Sequence, residues 1–281
     1  MTFPRLRLEP TILIQGLLAF LAASVLTLWG GLALQSRGAV EYAPSEPVSL
    51  LYLLFVFGMV TVAIWTILGS SVRREVFAGF FAFSIFIGIW FLFDAVLPPP
   101  SAILLAAVVT LLRFVSPRLI IWNASLTIGI AGIAVSLGTA IPPVVALSFL
   151  GIMAVYDIIA VYKTKHMVSM FKGLLAQGVV PAFILPESPA HLFHRLTPAH
   201  GRSEGGVHLL GTGDLALPLL VVAAAIPLGA PVIIGAVIGM LLGFTATHAI
   251  FFGQKKPRPM AALPPVAAGT ALGFLIGTLF V

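Results

Sequence analysis

The segment VHLLGTGDLALPLLVVAAAIPL, from Val207 to Leu228, carries a single formal charge, the carboxylate of Asp214. A run this long and apolar meets the roughly 20 residues that a helix needs to cross a bilayer core. Inside such a run a carboxylate is expensive, by roughly 2.5–3.5 kcal/mol on insertion scales, so Asp214 is a functional candidate by default.

The rest of the chain repeats the pattern. Of 281 residues, 60% are hydrophobic and only 9% charged, with a mean hydropathy of +1.13. A soluble domain carries about a quarter charged residues, so this composition excludes one and length is counted in membrane spans. Nine spans are expected, over 11–34, 48–71, 76–97, 99–115, 119–140, 142–162, 207–228, 230–252 and 260–281, which makes 1–281 a single all-α integral membrane domain. Pro98-Pro99-Pro100, Pro142-Pro143, Pro231 and Pro264-Pro265 stand near span ends, where a missing N–H costs least. The first run is too long for the core of a secretory signal and reads as a retained helix.

Lys and Arg give the orientation. With nine spans, 14 of the 15 fall on one side, and only Arg37 falls on the other, beside Glu41 and Glu46. The positive-inside rule then puts the N-terminus in the cytoplasm and Val281 outside, in the cell membrane. The net charge of +6 is accounted for by this asymmetry, and no basic patch interleaved with aromatics suggests a nucleic-acid partner. Membrane lipids are the expected surroundings. Cysteine is absent, which excludes a disulfide framework and a thiol nucleophile.

One long connection, 163–206, lies on the cytoplasmic side in this scheme. Its middle, Leu174 to Leu185, is apolar and broken by Gly178 and Pro181, which suits a membrane-associated flap.

Three aspartates, Asp94, Asp157 and Asp214, lie in apolar spans. At 1.5 Å per helical residue, Asp157 and Asp214 both sit roughly 9–12 Å below the cytoplasmic edge. Asp94 precedes Pro98 on a helix running outward and lies near the opposite rim. Two carboxylates that meet in a poorly solvated place cannot both ionise cheaply and share a proton. Such a pair serves peptide hydrolysis: an ionised Asp draws a proton from water while its protonated partner donates to the scissile carbonyl oxygen. No cofactor or metal is needed for that chemistry. Gly211 and Gly213 flank Thr212 just before Asp214, and glycine allows close approach of another backbone.

Joined to Tyr156-Asp157 one span earlier and to Ala261-Ala262-Leu263-Pro264 at the start of the last span, Gly211-Thr212-Gly213-Asp214 resembles the motif set of the presenilin and signal peptide peptidase family of GxGD intramembrane aspartyl proteases, most closely its compact prokaryotic homologues. That family has nine helices, with YD in the sixth, GxGD in the seventh and PAL opening the ninth. The resemblance implies a catalytic pair of Asp157 and Asp214, active-site shaping by Tyr156, Gly211, Thr212, Gly213, Ala261, Ala262, Leu263 and Pro264, and transmembrane helical substrates. Ala261 stands where the family has the first proline of PAL, and Thr212 where better-known members have leucine. The rival reading is a proton- or cation-coupled transporter, because intramembrane aspartates also serve as relays.

Other signals have simpler readings. Gly235, Gly239 and Gly243, and again Gly269, Gly273 and Gly277, make four-residue stripes that suit close packing of the last two spans. His191, His194, His200 and His208 fall in or near the long connection without the spacing of a metal site, and read as a solvated loop. His248 reads as a packed or hydrogen-bonded residue.

Overall fold

The computed structural model describes residues 9–39, 50–68, 74–165, 167, 169–170, 173–174, 180–195, 207–254 and 259–281. Arg5, Arg7, Arg73, Lys172, Arg202, Lys255, Lys256 and Arg258 of the charge pattern lie outside them, as do Glu41, Glu46, Gly178, His200 and Glu204.

Among the described residues, nine apolar α-helices are delimited: α1 (Pro10–Ser36), α2 (Leu50–Leu68), α3 (Arg74–Asp94), α4 (Pro99–Val115), α5 (Leu119–Gly138), α6 (Pro143–Ile158), α7 (Thr212–Ala224), α8 (Ala230–Phe252) and α9 (Leu263–Thr278). By length and composition, α1, α5, α8, and α6 together with the π turn Ile159–Lys163 that extends it, suffice to cross a membrane. The other five are apolar but shorter over their described residues.

Helix α5 is the hub. It packs against α1, α3, α4 and α7, and its faces carry small residues where neighbours come close. A methyl group on Gly132 would strike the backbone of Gly88 in α3, so this crossing is set by backbone-to-backbone approach. Antiparallel α8 and α9 meet the same way: a Cβ on Gly239 would run into the Gly269 carbonyl, and one on Gly273 into that of Gly235. The glycine stripes are therefore a packing seam, as their spacing suggests.

The C-terminal end of α3 is closed by Arg37, whose guanidinium donates to the carbonyls of Asp94 (3.3 Å) and Val96 (2.8 Å). Helix C-termini leave carbonyls unpaired, and a cation there satisfies them.

The all-α expectation needs a correction at 207–228. Val207–Gly211 is a strand, β2, paired antiparallel with β1 (Ala182–Pro186), with Ala182 opposite Gly211 and Pro186 opposite Val207. Only from Thr212 does the chain turn helical. VHLLG is apolar enough for either state, and the choice falls to β1, which is buried throughout and needs a partner. The outer edge of β1 is occupied by side chains. Asn123 of α5 makes a two-point clamp on Ile184, accepting from its N–H (3.0 Å) and donating to its carbonyl (2.8 Å). Trp122 Nε1 donates to Ala182 O (3.1 Å), and Gln15 of α1 donates to Pro186 O (2.8 Å). The hairpin is thus fastened to α1 and α5, and its remaining free edge is that of β2.

Candidate active site

Four features converge at one end of the bundle: the junction of β2 and α7, the end of α6, the lower end of α8 and the segment before α9. Together they enclose a cavity of about 390 Å³ lined by Asp157, Asp214, Gly211 and Ala262, with aromatic walls that include Phe244, Phe251 and Phe252.

Asp157 is buried near the end of α6, and the helix passes into the π turn directly after it. Single π turns inside helices are uncommon and gather at functional sites. Asp157 Oδ2 accepts a hydrogen bond from the Leu263 N–H at 3.3 Å, which ties α6 to the first turn of α9. The π turn also brings Tyr162 across, and its hydroxyl accepts from the Ala261 N–H at 3.4 Å. Sequence reading did not single out Tyr162, because the turn that aims it is not written in hydropathy.

Asp214 stands in the first turn of α7 and is partly exposed to the cavity. Gly211 has a steric reason here: a Cβ on it would lie 2.9 Å from Asp214 Oδ2. Gly213 has no such neighbour, since nothing lies within 4 Å of a Cβ placed there. Pro218, inside α7, lacks the N–H that would bond the Asp214 carbonyl, so the first turn is released from the regular helical ladder at the aspartate. Asp157 and Asp214 line the same cavity. Asp94, on the Arg37 side of α3, does not line this cavity.

The remaining residues of the motif set take supporting places. Thr212 Oγ1 donates to Pro181 O (3.4 Å), fixing the start of α7 to the approach of β1. Tyr156 points elsewhere, its ring edge-on to Phe57 of α2 with centroids 5.6 Å apart. Leu263 is buried in the apolar cluster of Leu150, Met153 and Val222, while its backbone serves Asp157. Ala261 is buried too, and the Ala262 carbonyl accepts from Thr247 Oγ1 at 3.2 Å. Pro264 and Pro265 occupy the opening turn of α9, where helical N–H groups have no intrahelical acceptor.

Two histidines belong to the cavity and were missed as such. His208 is on β2, not in a solvated loop, and lies 3.8 Å from Glu187. Burial holds its imidazole below the ordinary histidine value, opposed in part by Glu187. His248, on α8, is buried against Phe252 with ring centroids 4.4 Å apart. A signal for it existed: 244, 247, 248, 251 and 252 follow the i, i+3, i+4, i+7, i+8 pattern of one helix face. His191 and His194 are exposed, as expected, with rings 4.8 Å apart. Among the described residues no cluster of three His, Cys, Asp or Glu side chains has the arrangement of a metal site.

A family model described as signal-peptide peptidase, presenilin aspartyl protease matches residues 17–281, and the chain belongs to that family. Two solved structures of a presenilin family intramembrane aspartate protease, in P2 and C222 space groups, are similar to it. The first is 25% identical with a TM-score of 0.66, covering 94% of this chain and 96% of the other. The second is 26% identical with a TM-score of 0.66, covering 96% and 99%. Among curated proteins, none matches. The chain is therefore an integral membrane protein and an intramembrane aspartic endopeptidase, of a family that acts on transmembrane helical substrates. The transporter reading is set aside.

Proposed function

We propose that Asp157 and Asp214 are the catalytic pair of this protease and that water is the nucleophile. The observation that carries the reading is their meeting in one cavity, brought from α6 and from the β2–α7 junction, while Asp94 stays away. One carboxylate, ionised, takes a proton from water. The other, protonated, donates to the scissile carbonyl oxygen, and no covalent intermediate forms. Gly211 leaves room for the Asp214 carboxylate, and the Leu263 N–H orients that of Asp157.

A helical substrate hides its peptide bonds in its own hydrogen bonds and has to unwind before cleavage. The extended segment has a place to lie. Because the outward groups of β1 are taken by Asn123, Trp122 and Gln15, and Ile184 stands opposite Leu209, the N–H and C=O of Leu209 point away from β1. A substrate strand added to that edge runs past Gly211 beside Asp214, in the β-augmentation mode.

In the membrane, the whole of 1–281 forms one domain of nine spans with a cytoplasmic N-terminus, a cytoplasmic 163–206 connection and an external Val281. The charge asymmetry supports this orientation. Tag accessibility in sealed cells tests it, and an external tag within 163–206 would reverse it.

The deciding experiment is cleavage of a labelled single-span peptide by purified protein in lipid, wild type beside Asp157→Asn and Asp214→Asn. Turnover is expected in the first only, with a bell-shaped pH profile owned by the pair, since activity falls when both carboxyls hold protons and again when neither does. Substantial turnover by either variant in a contaminant-free preparation overturns the assignment.

A further inference from the structure

The cavity is lined by polar side chains that the mechanism does not use. One of them, His248, is 4% exposed and stands against Phe252. Its Nε2 is buried and has no hydrogen-bond partner among the described residues. A neutral imidazole that carries its proton on Nδ1 presents a bare acceptor at Nε2.

An orphaned acceptor of this kind costs stability, because burial strips its water without replacing the bond. Buried polar groups are nearly always paired, so the exception asks for an explanation. The surroundings leave few. Phe244, Phe251 and Phe252 are apolar, and the nearest polar ring, His208, is already engaged with Glu187. His208 and His248 flank the same Phe252 ring, with centroids at 5.0 Å and 4.4 Å.

We propose that His248 forms a specificity subsite within the protease cavity, whose Nε2 accepts a hydrogen bond from a hydroxyl- or amide-bearing side chain of the substrate. The inference rests on the protease reading. The register of β2 gives the subsite its position. His208 precedes Gly211 by three residues, about 10 Å at strand rise, so a strand passing the catalytic pair at Gly211 reaches the histidines two to four residues further along. A threonine or asparagine there supplies the donor. A valine or leucine of like size leaves Nε2 unpaired and is discriminated against, which is how a site built for one hydrogen bond rejects the analogue lacking it.

The test is a positional scan of a labelled single-span peptide in lipid vesicles. Each residue within six of the cleaved bond is set in turn to Thr or Val, and to Asn or Leu, and kcat/KM is read as the ratio within each pair. In the wild type one position, two to four residues from the bond, is expected to favour the donor by about tenfold, the worth of one neutral hydrogen bond. In His248→Phe, which keeps a ring against Phe252 but has no acceptor, the ratio is expected to fall to about one. In His248→Gln, which restores a carbonyl acceptor, part of it is expected to return. A wild type with no such position overturns the subsite without any variant, as does a folded His248→Phe that keeps the tenfold ratio. Failure of the protease reading looks different: the all-apolar peptide would be left uncut by the wild type or cut equally by Asp214→Asn.

Discussion

Helices α8 and α9 behave in two opposite ways along their length. Over Gly235, Gly239 and Gly243 against Gly269, Gly273 and Gly277 they touch backbone to backbone, and no side chain separates them. One turn below, the face of α8 changes to Phe244, Thr247, His248 and Phe251, and the chain before α9 draws back to Pro259, Met260 and Ala262. The same pair that closes completely in one half holds a cavity open in the other. Small residues remove the space in which water or substrate could stand, whereas large rings with polar tips line it. The closed half is a fulcrum: it fixes the start of α9, and hence the Leu263 N–H, against Asp157.

The largest effect separates the two regions by chemistry. Asp157→Asn and Asp214→Asn are expected to lower turnover by about a thousandfold or more while the protein still folds, as loss of general acid–base catalysis does. Asp94→Asn is expected to keep turnover, since Asp94 lies away from the cavity and its interaction with Arg37 is through the backbone. Peptide cleavage rates beside a thermal melt of each variant decide it.

The seam is expected to fail by packing. Gly239→Val forces the branched side chain into the Gly269 carbonyl, and overpacking of this kind costs about 1–3 kcal/mol or more. Gly213→Ala meets open space and is expected to leave the melting temperature of the protein nearly unchanged. A seam variant as stable as the Gly213 variant would remove the fulcrum.

Between the two regions stands the start of α9. Leu263→Lys places an ammonium in an apolar cluster beside Asp157 and is expected to reduce turnover by tenfold or more, by desolvation and by competing for the carboxylate. Ala261→Pro removes only the N–H that reaches Tyr162 at 3.4 Å, so activity is expected to fall by no more than a few fold. Tyr162→Phe, which removes the acceptor instead, should match it; kcat and KM of both variants check this.

The smallest effect is on pH. The folded state holds the His208 value below the ordinary one of about 6.5, so protonation favours unfolding. Its contribution to stability is complete above that value and is lost as pH falls through the lower folded one. Thermal midpoints between about pH 7.5 and 5 should therefore decline more steeply in the wild type than in His208→Leu. Equal slopes would show that another group carries the acid sensitivity.

Residues 207–228 show where reading by composition stops. Leu209 and Leu210 are apolar whether helical or extended, and the pairing that chooses between them comes from β1, more than twenty residues earlier and clamped by Asn123 on another helix. The membrane class, the placing of Asp157 and Asp214 in apolar runs, the glycine stripes and the motifs that resemble the family were written in the sequence by itself, because hydropathy and short spacing are local properties. The hairpin, the π turn that aims Tyr162, the steric need for Gly211 and the unpaired Nε2 of His248 were decided only by tertiary structure. Each is a relation between groups distant in the chain, and its energy exists only after the helices have packed.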